Sequence, residues 1–242
     1  FHLHSANRLD HPSRWKRFFC NSNVANLTLE TLLLQHWREE SVSIRNLGWA
    51  GDTLSILDRP TNFPSEESML RDHQTDVIIA CFGMGESFDG EKGIENFKED
   101  LRVFIGSHRR KQYNGESDVR LILVSPIAYE DLGELTPRLT ERNRELQLYT
   151  DAMRATAANE SVPFVDLYGP SRALMSVPDA IPLTINGIHL SDYGYWAVSR
   201  ILYDGFFESD KAIGDQPWQI NIDAKGKTSD AKGLSLSGLS SN

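Results

Sequence analysis

The sequence predicts an α/β protein, a three-layer α/β/α sandwich built on a five-stranded parallel sheet with flavodoxin-like layering. Two patterns carry that expectation. Five short apolar runs read as strands buried on both faces, and longer segments between them place apolar residues at helical spacing. Strands that alternate with helices run parallel, with helices on both faces of the sheet. Length agrees, because 242 residues suffice for one large domain with a substantial core.

Taken in order, residues 15–20 (Trp-Lys-Arg-Phe-Phe-Cys) form the first expected strand, which runs into Asn21-Ser22-Asn23. Leu27, Leu29, Leu32, Leu33 and Trp37 then mark a helix over 26–40, with Asn26 or Thr28 available as its cap. Residues 41–46 alternate as a second strand and lead into Leu47-Gly48-Trp49-Ala50-Gly51-Asp52-Thr53. A polar, proline-containing connection reaches the clearest buried strand, 76–82, which ends in Gly83-Met84-Gly85-Glu86-Ser87. A helix over 94–110 and a strand over 119–125, closed by Pro126, follow. Next come a long polar helix over 141–159 and a fifth strand over 162–167, with Pro163 where its missing donor is tolerated. The last helix covers 193–207. Residues 1–14 read as an extended lead-in, 15–213 as the domain, and 214–242 as one added strand at 218–222 followed by a Gly/Ser-rich linker.

Composition narrows the function classes. The formal charge of −9, from 25 basic and 34 acidic residues, argues against a nucleic-acid partner, since phosphate binding needs a basic face. No apolar run approaches the roughly eighteen residues of a membrane span, so no integral membrane segment is expected. His2, His4 and His11 lack companion Cys or carboxylate residues at a ligand spacing. No metal and no cofactor are therefore expected, and no phosphate-cradling glycine fingerprint follows the first strand. Cys20 and Cys81 read as buried thiols, although two cysteines alone leave a disulfide open.

Four loops fall at the carboxyl edge of such a sheet, where ligands and catalytic groups collect: those of Ser22, Gly51, Gly85 and His189. Acyl transfer needs an activated hydroxyl, a base within hydrogen-bond reach, and donors aimed at the oxyanion. Ser22 fits the nucleophile and His189, on a loop just ahead of a helix, fits the base. Gly51 and Gly85 can serve either as turn glycines or as backbone oxyanion donors beside Ser22. Ser87 superficially fits a Gly-x-Ser-x-Gly elbow, but the last glycine is missing. Asp52 and Glu86 read as carboxylates that satisfy loop N–H groups, or as one that supplies an acid to His189.

In this order and spacing the chain resembles the SGNH, or GDSL-type, hydrolase family over residues 15–207. Cys20-Asn21-Ser22-Asn23 resembles the family's Gly-Asp-Ser-Leu turn, and Gly51-Asp52-Thr53 its oxyanion-glycine block. Gly83-Met84-Gly85-Glu86 resembles Gly-x-Asn-Asp, and Asn186-Gly187-Ile188-His189 resembles Asp-x-x-His. Residues 47–53 and 187–196 are also similar to blocks of a subgroup associated with planctomycete and related secreted proteins, which implies a secreted or periplasmic protein.

The resemblance implies a serine esterase that acts on a small-molecule or carbohydrate ester, with deacetylation the first expectation. Its site would comprise Ser22, His189 and Asn186, with oxyanion donors at Ser22, Gly51 and Gly85. Two departures fall on positions with a chemical job. Gly85 stands where the family has an oxyanion asparagine, a donor worth roughly 3 kcal/mol. Asn186 stands where it has the triad aspartate, and an amide there costs about four orders of magnitude in a serine protease. The alternative reading is a catalytically impaired SGNH-fold protein that binds a glycan or a partner.

Overall fold

A computed structural model describes residues 17–20, 27–37, 42–49, 51–207, 219–222 and 228–232, with side chains described at 28–37, 42–49 and 51–207. The chain divides into two compact units, Phe1–Glu208 and Ser209–Asn242.

The first unit holds five parallel strands: β1 (Arg17–Cys20), β2 (Ser43–Asn46), β3 (Val77–Cys81), β4 (Arg120–Val124) and β5 (Phe164–Val165). Their order across the sheet is β2-β1-β3-β4-β5, with Phe18 opposite both Ile44 and Val77, and Ile79 opposite Ile122. The expected α/β/α layering is therefore observed. Among the described residues six α-helices accompany the sheet: α1 (Leu27–His36), α2 (Glu66–Asp72), α3 (Ile94–His108), α4 (Leu139–Asn159), α5 (Tyr168–Met175) and α6 (Asp192–Phe206).

Strand periodicity sorts the core into two faces. Ile78, Ala80 and Phe82 of the β3 run, with Leu121 and Leu123 of β4, meet Phe97, Leu101 and Ile105 of α3 and Tyr149, Ala152 and Met153 of α4. Val77 and Ile79, of opposite parity, are fully buried as well, so β3 is covered on both sides. α1 and α6 pair with each other: the Tyr203 hydroxyl lies 2.7 Å from His36 Nδ1 and the Phe207 ring stacks on that imidazole. α6 also closes on β5, where a Cβ at Gly205 would meet Val165 at 2.6 Å.

Two helices were not visible in the apolar periodicity. α2 has seven residues and only one, Leu70, is buried. Its start is set by the Ser65 hydroxyl, which accepts from the Ser68 N–H at 3.2 Å, and by Glu66 and Glu67 in its first turn. α5 begins directly after β5 because the Ser125 hydroxyl, at the end of β4, accepts from the N–H groups of Leu167 and Tyr168 at 2.8 and 3.1 Å.

In the second unit, β6 (Gln219–Ile222) pairs antiparallel with β7 (Thr228–Lys232). This corrects the expectation of one strand followed by linker. Thr-Ser-Asp-Ala-Lys carries little apolar signal, and the ladder to β6 supplies the backbone bonds that make it a strand.

One buried ion pair connects the helical layer to the turn after β3. Arg142 of α4 pairs with Glu145, donates to the carbonyl and hydroxyl oxygens of Ser87 at 3.3 and 2.8 Å, and lies 3.8 Å over the Phe88 ring. Ser87 in turn donates to the Met84 carbonyl at 2.7 Å, so its hydroxyl is a scaffold group. Removing one partner of a buried pair leaves the other charge uncompensated, at about 3–5 kcal/mol. Arg142→Ala is thus expected to lower the unfolding free energy from a urea titration by about 3–5 kcal/mol; an unchanged value would show that the Glu145 charge is relieved in some other way.

Candidate active site

Because all five strands are parallel, the chain leaves β1, β2, β3 and β4 at the same edge of the sheet. β1 ends at Cys20, and Ser22, two residues on, lies outside the described residues, as does its relation to His189.

The loop after β2 is organised by Asp52. Its carboxylate accepts from the Trp49 N–H at 3.2 Å and takes two hydrogen bonds from the Arg59 guanidinium, each 2.6 Å long. Arg59 also lies over the rings of Trp49 and Phe63. Gly51 has φ +89° with open space where a Cβ would project, so its backbone conformation, rather than crowding, calls for glycine.

Gly85 is a different case. Its φ of −66° and ψ of −48° are ordinary helical values, so its backbone angle does not call for glycine. What it permits is close approach: a Cβ there would lie 3.1 Å from Cγ2 of Thr53. Glu86 completes this junction, since its carboxylate accepts from the Leu54 N–H at 3.0 Å and the Gly83 N–H at 2.8 Å. Burial raises the Glu86 carboxyl above the usual range, against those two backbone hydrogen bonds, which lower it. Asp52 and Glu86 both hold loop N–H groups, the structural role anticipated for them.

His189 sits on a tight loop. Thr184 and Leu190 form an antiparallel bridge, and the Ile185 N–H donates to the His189 carbonyl at 2.8 Å. Ser191 caps α6 by accepting from the Gly194 N–H at 3.1 Å. Gly194 is required at this spot, because a Cβ would fall 1.8 Å from the Leu183 carbonyl oxygen.

The imidazole is exposed, and its Nδ1 faces Asn186 at 3.0 Å from Oδ1 and 2.9 Å from Nδ2. Oδ1 also accepts from the backbone N–H of His189 at 3.0 Å and of Ile188 at 3.4 Å. With Oδ1 gathering those donors, Nδ1–H can donate to it as well. That tautomer leaves Nε2 with its lone pair, the state a general base needs.

A residue that sequence reasoning missed holds this loop in place. Glu130, in the loop after β4, is 5 % exposed, and its carboxylate accepts from the N–H groups of Leu183 and Thr184 at 2.8 and 2.6 Å and from the Thr184 hydroxyl. Its own N–H donates to the Gly187 carbonyl at 3.1 Å. Gly187, at φ +91°, leaves no room for a side chain: a Cβ would fall 2.5 Å from the Tyr129 ring and 2.8 Å from Thr136. The His189 loop is thereby clamped to the same edge that carries the loops of Gly51 and Gly85. No local pattern marks Glu130, since two of its three donors are backbone groups 53 and 54 residues away.

A model of the GDSL-like lipase/acylhydrolase family matches residues 22–197, a span running from the Ser22 position through the His189 loop into α6. The chain belongs to the GDSL-like lipase/acylhydrolase family. Membership makes it a serine ester hydrolase by class and agrees with the SGNH resemblance of its four blocks.

Solved structures of GDSL-type proteins share the fold. A putative GDSL-like lipase from Parabacteroides merdae is 16% identical with a TM-score of 0.59, covering 80% of this chain and 95% of its own. A lipase/acylhydrolase from Enterococcus faecalis is 20% identical with a TM-score of 0.53, covering 81% and 100%. A catalytic mutant of an acetylxylan esterase from Geobacillus stearothermophilus is 14% identical with a TM-score of 0.57, covering 82% and 97%. No curated protein matches the chain. Among the described residues there is no cluster of metal-binding side chains and no helix long and apolar enough to cross a membrane.

The Glu130 clamp is testable by a nearly isosteric change. Glu130→Gln turns an NH2 toward donors and leaves one or more unmet, at about 1–3 kcal/mol each. A lower unfolding midpoint is expected, together with faster amide exchange at Leu183 and Thr184. Wild-type exchange at those two amides would mean that the carboxylate does not hold the loop.

Proposed function

We propose that the protein removes acetyl groups from carbohydrate esters, with Ser22 as nucleophile, His189 as its general base and Asn186 as the group that orients the imidazole. The oxyanion donors in this reading are the backbone N–H groups of Ser22, Gly51 and Gly85. The observation that carries it is the Asn186–His189 pairing on a loop clamped to the carboxyl edge of the sheet, with the imidazole open to solvent.

The carbohydrate part rests on aromatic faces beside the blocks. Trp49, in the Gly51 loop, is 47% exposed. Tyr193 and Trp196, just after His189, are exposed and stacked at 5.7 Å. Such faces suit the C–H surfaces of sugar rings. The acetylxylan esterases of like fold act on substrates of this class.

In the reaction, the Ser22 hydroxyl attacks the acetyl carbonyl while Nε2 of His189 takes its proton. The alcohol leaves with that proton, and water then hydrolyses the acyl-enzyme by the same route. Asn186 keeps the productive tautomer but, being neutral, offsets none of the imidazolium charge that develops. A panel of acetylated xylo-oligosaccharides and aryl acetates tests the assignment: Ser22→Ala and His189→Ala are each expected to lower kcat by at least about a thousandfold. Background-level rates in the wild type and both variants would sink it.

The neutral amide gives a second expectation. Asn186→Asp supplies the missing charge and should raise kcat at least tenfold, because a carboxylate against Nδ1–H stabilises the imidazolium that forms. No gain would show that residue 186 does not act on His189.

A second reading, a carbohydrate-binding protein with impaired chemistry, is favoured by the amide at 186 and the missing side chain at Gly85. Stoichiometric labelling of Ser22 by a fluorophosphonate would count against it.

A further inference from the structure

Beside the His189 loop, α4 and α5 enclose a cleft of about 650 Å³, within the range of small-ligand sites. Its wall includes Tyr129, Asn143, Arg144, Tyr168 and Arg172. Tyr129 is shared with the candidate active site, because the ring that borders the cleft is the one that bars a side chain at Gly187. Met84, from the turn after β3, packs with Tyr129 and Met175 against Ala128, Leu146 and Tyr168. The cleft thus adjoins the His189 loop, and its wall packs against the turn after β3.

The walls are rigid. Asn143 fixes Tyr129 from both sides, accepting from its N–H at 3.0 Å and donating to its carbonyl at 2.8 Å. The Tyr168 hydroxyl donates to the Asn143 carbonyl at 2.8 Å. These bonds hold the Tyr129 backbone and the Tyr168 side chain in the wall before any ligand arrives.

Several arginines lack a carboxylate partner among the described residues, Arg45, Arg110 and Arg200 among them, but Arg144 and Arg172 are the two that line this cleft. Arg59, Arg71, Arg102, Arg109, Arg138, Arg142 and Arg154 each lie within ion-pair distance of a carboxylate. Among the described residues, Arg144 and Arg172 form no such pair. The acid that Arg144 senses, Glu141, is already held by two hydrogen bonds from Arg138 at 2.5 and 2.7 Å. Arg172 lies beside the Tyr168 hydroxyl. One carboxylate, Asp131, also borders the cleft, and it accepts from the Gly133 N–H of its own loop at 3.0 Å.

We propose that this cleft binds a carboxylate-bearing saccharide, a chain containing uronic acid, with Arg144 and Arg172 as the forks that take its carboxylates. A guanidinium matches a carboxylate in two parallel hydrogen bonds, and the half-buried Tyr129 ring borders the space a pyranose would take. A net charge of −9 disfavours a densely charged polyanion, whereas one carboxylate per sugar unit fits two arginines. The choice of a sugar rests on the carbohydrate reading of the active site, but the test reads binding alone, so failure of the esterase assignment leaves it separately decidable.

The experiment is calorimetric titration of the full-length chain with unesterified trigalacturonate, xylotriose and a sulfated neutral trisaccharide at 50 and 500 mM NaCl. Trigalacturonate is expected to bind at least tenfold more tightly than xylotriose and to weaken at the higher salt. Arg144→Gln/Arg172→Gln should lose at least tenfold in affinity for trigalacturonate with its melting temperature unchanged; if the pair melts early, the single substitutions are read instead. Equal affinity for the acidic and neutral sugars, no binding of either, or affinity indifferent to the arginine substitutions would overturn the proposal. Binding of the sulfated sugar as tight as that of trigalacturonate would overturn the carboxylate assignment.

Discussion

The buried carboxylate of Glu130 is the constraint on which the candidate site depends. No cation accompanies it among the described hydrogen-bond and ion-pair partners; two backbone N–H groups and one hydroxyl carry its charge. A charge taken out of water without such donors costs several kcal/mol. Residues 183 and 184 are therefore held where those donors reach it. Once they are held, the bridge between Thr184 and Leu190 and the Ser191 cap leave the His189 loop little freedom. Its two glycines belong to the same arrangement: Gly187 makes room for Tyr129 and Thr136, and Gly194 lets the first turn of α6 rest against the Leu183 carbonyl.

Charged side chains around the sheet edge are mostly committed to scaffolding. Asp52 is taken by Arg59 and the Trp49 N–H, Glu86 by the N–H groups of Leu54 and Gly83, and Glu145 by Arg142. The neighbour of His189 Nδ1 is instead an amide. Asn186 Oδ1 can accept from Nδ1–H, yet the amide contributes no charge. An aspartate in such a position commonly supplies both tautomer control and charge compensation, and the amide here can supply at most the first.

Much of the fold was legible because its signals are local. The β3 run of Val77, Ile78, Ile79 and Ala80 is apolar on both faces because both faces are covered, and parallel strands follow from alternation with helices. The blocks of Gly51 and Gly187 were legible for a related reason: glycine at each answers to a backbone angle, which one residue type satisfies best. Short elements escaped where side-chain burial was slight. α2 buries only Leu70, and β7 owes its form to the ladder with β6.

Composition and order of residues were enough to specify the layered α/β architecture, the sheet edge at which the loops of Gly51 and Gly85 lie, and the histidine with its asparagine three residues before it. Only folding settled what Glu130 does, why Gly85 is small, and that Arg144 and Arg172 share one cleft. The physical reason is the same in each case. Glu130 grips backbone groups, which every residue type but proline presents alike. The pressure on Gly85 comes from a methyl group of Thr53, 32 residues earlier in the chain. The two arginines meet through the packing of separate helices. No periodicity records such pairings, because they depend on which distant atoms arrive at the same place.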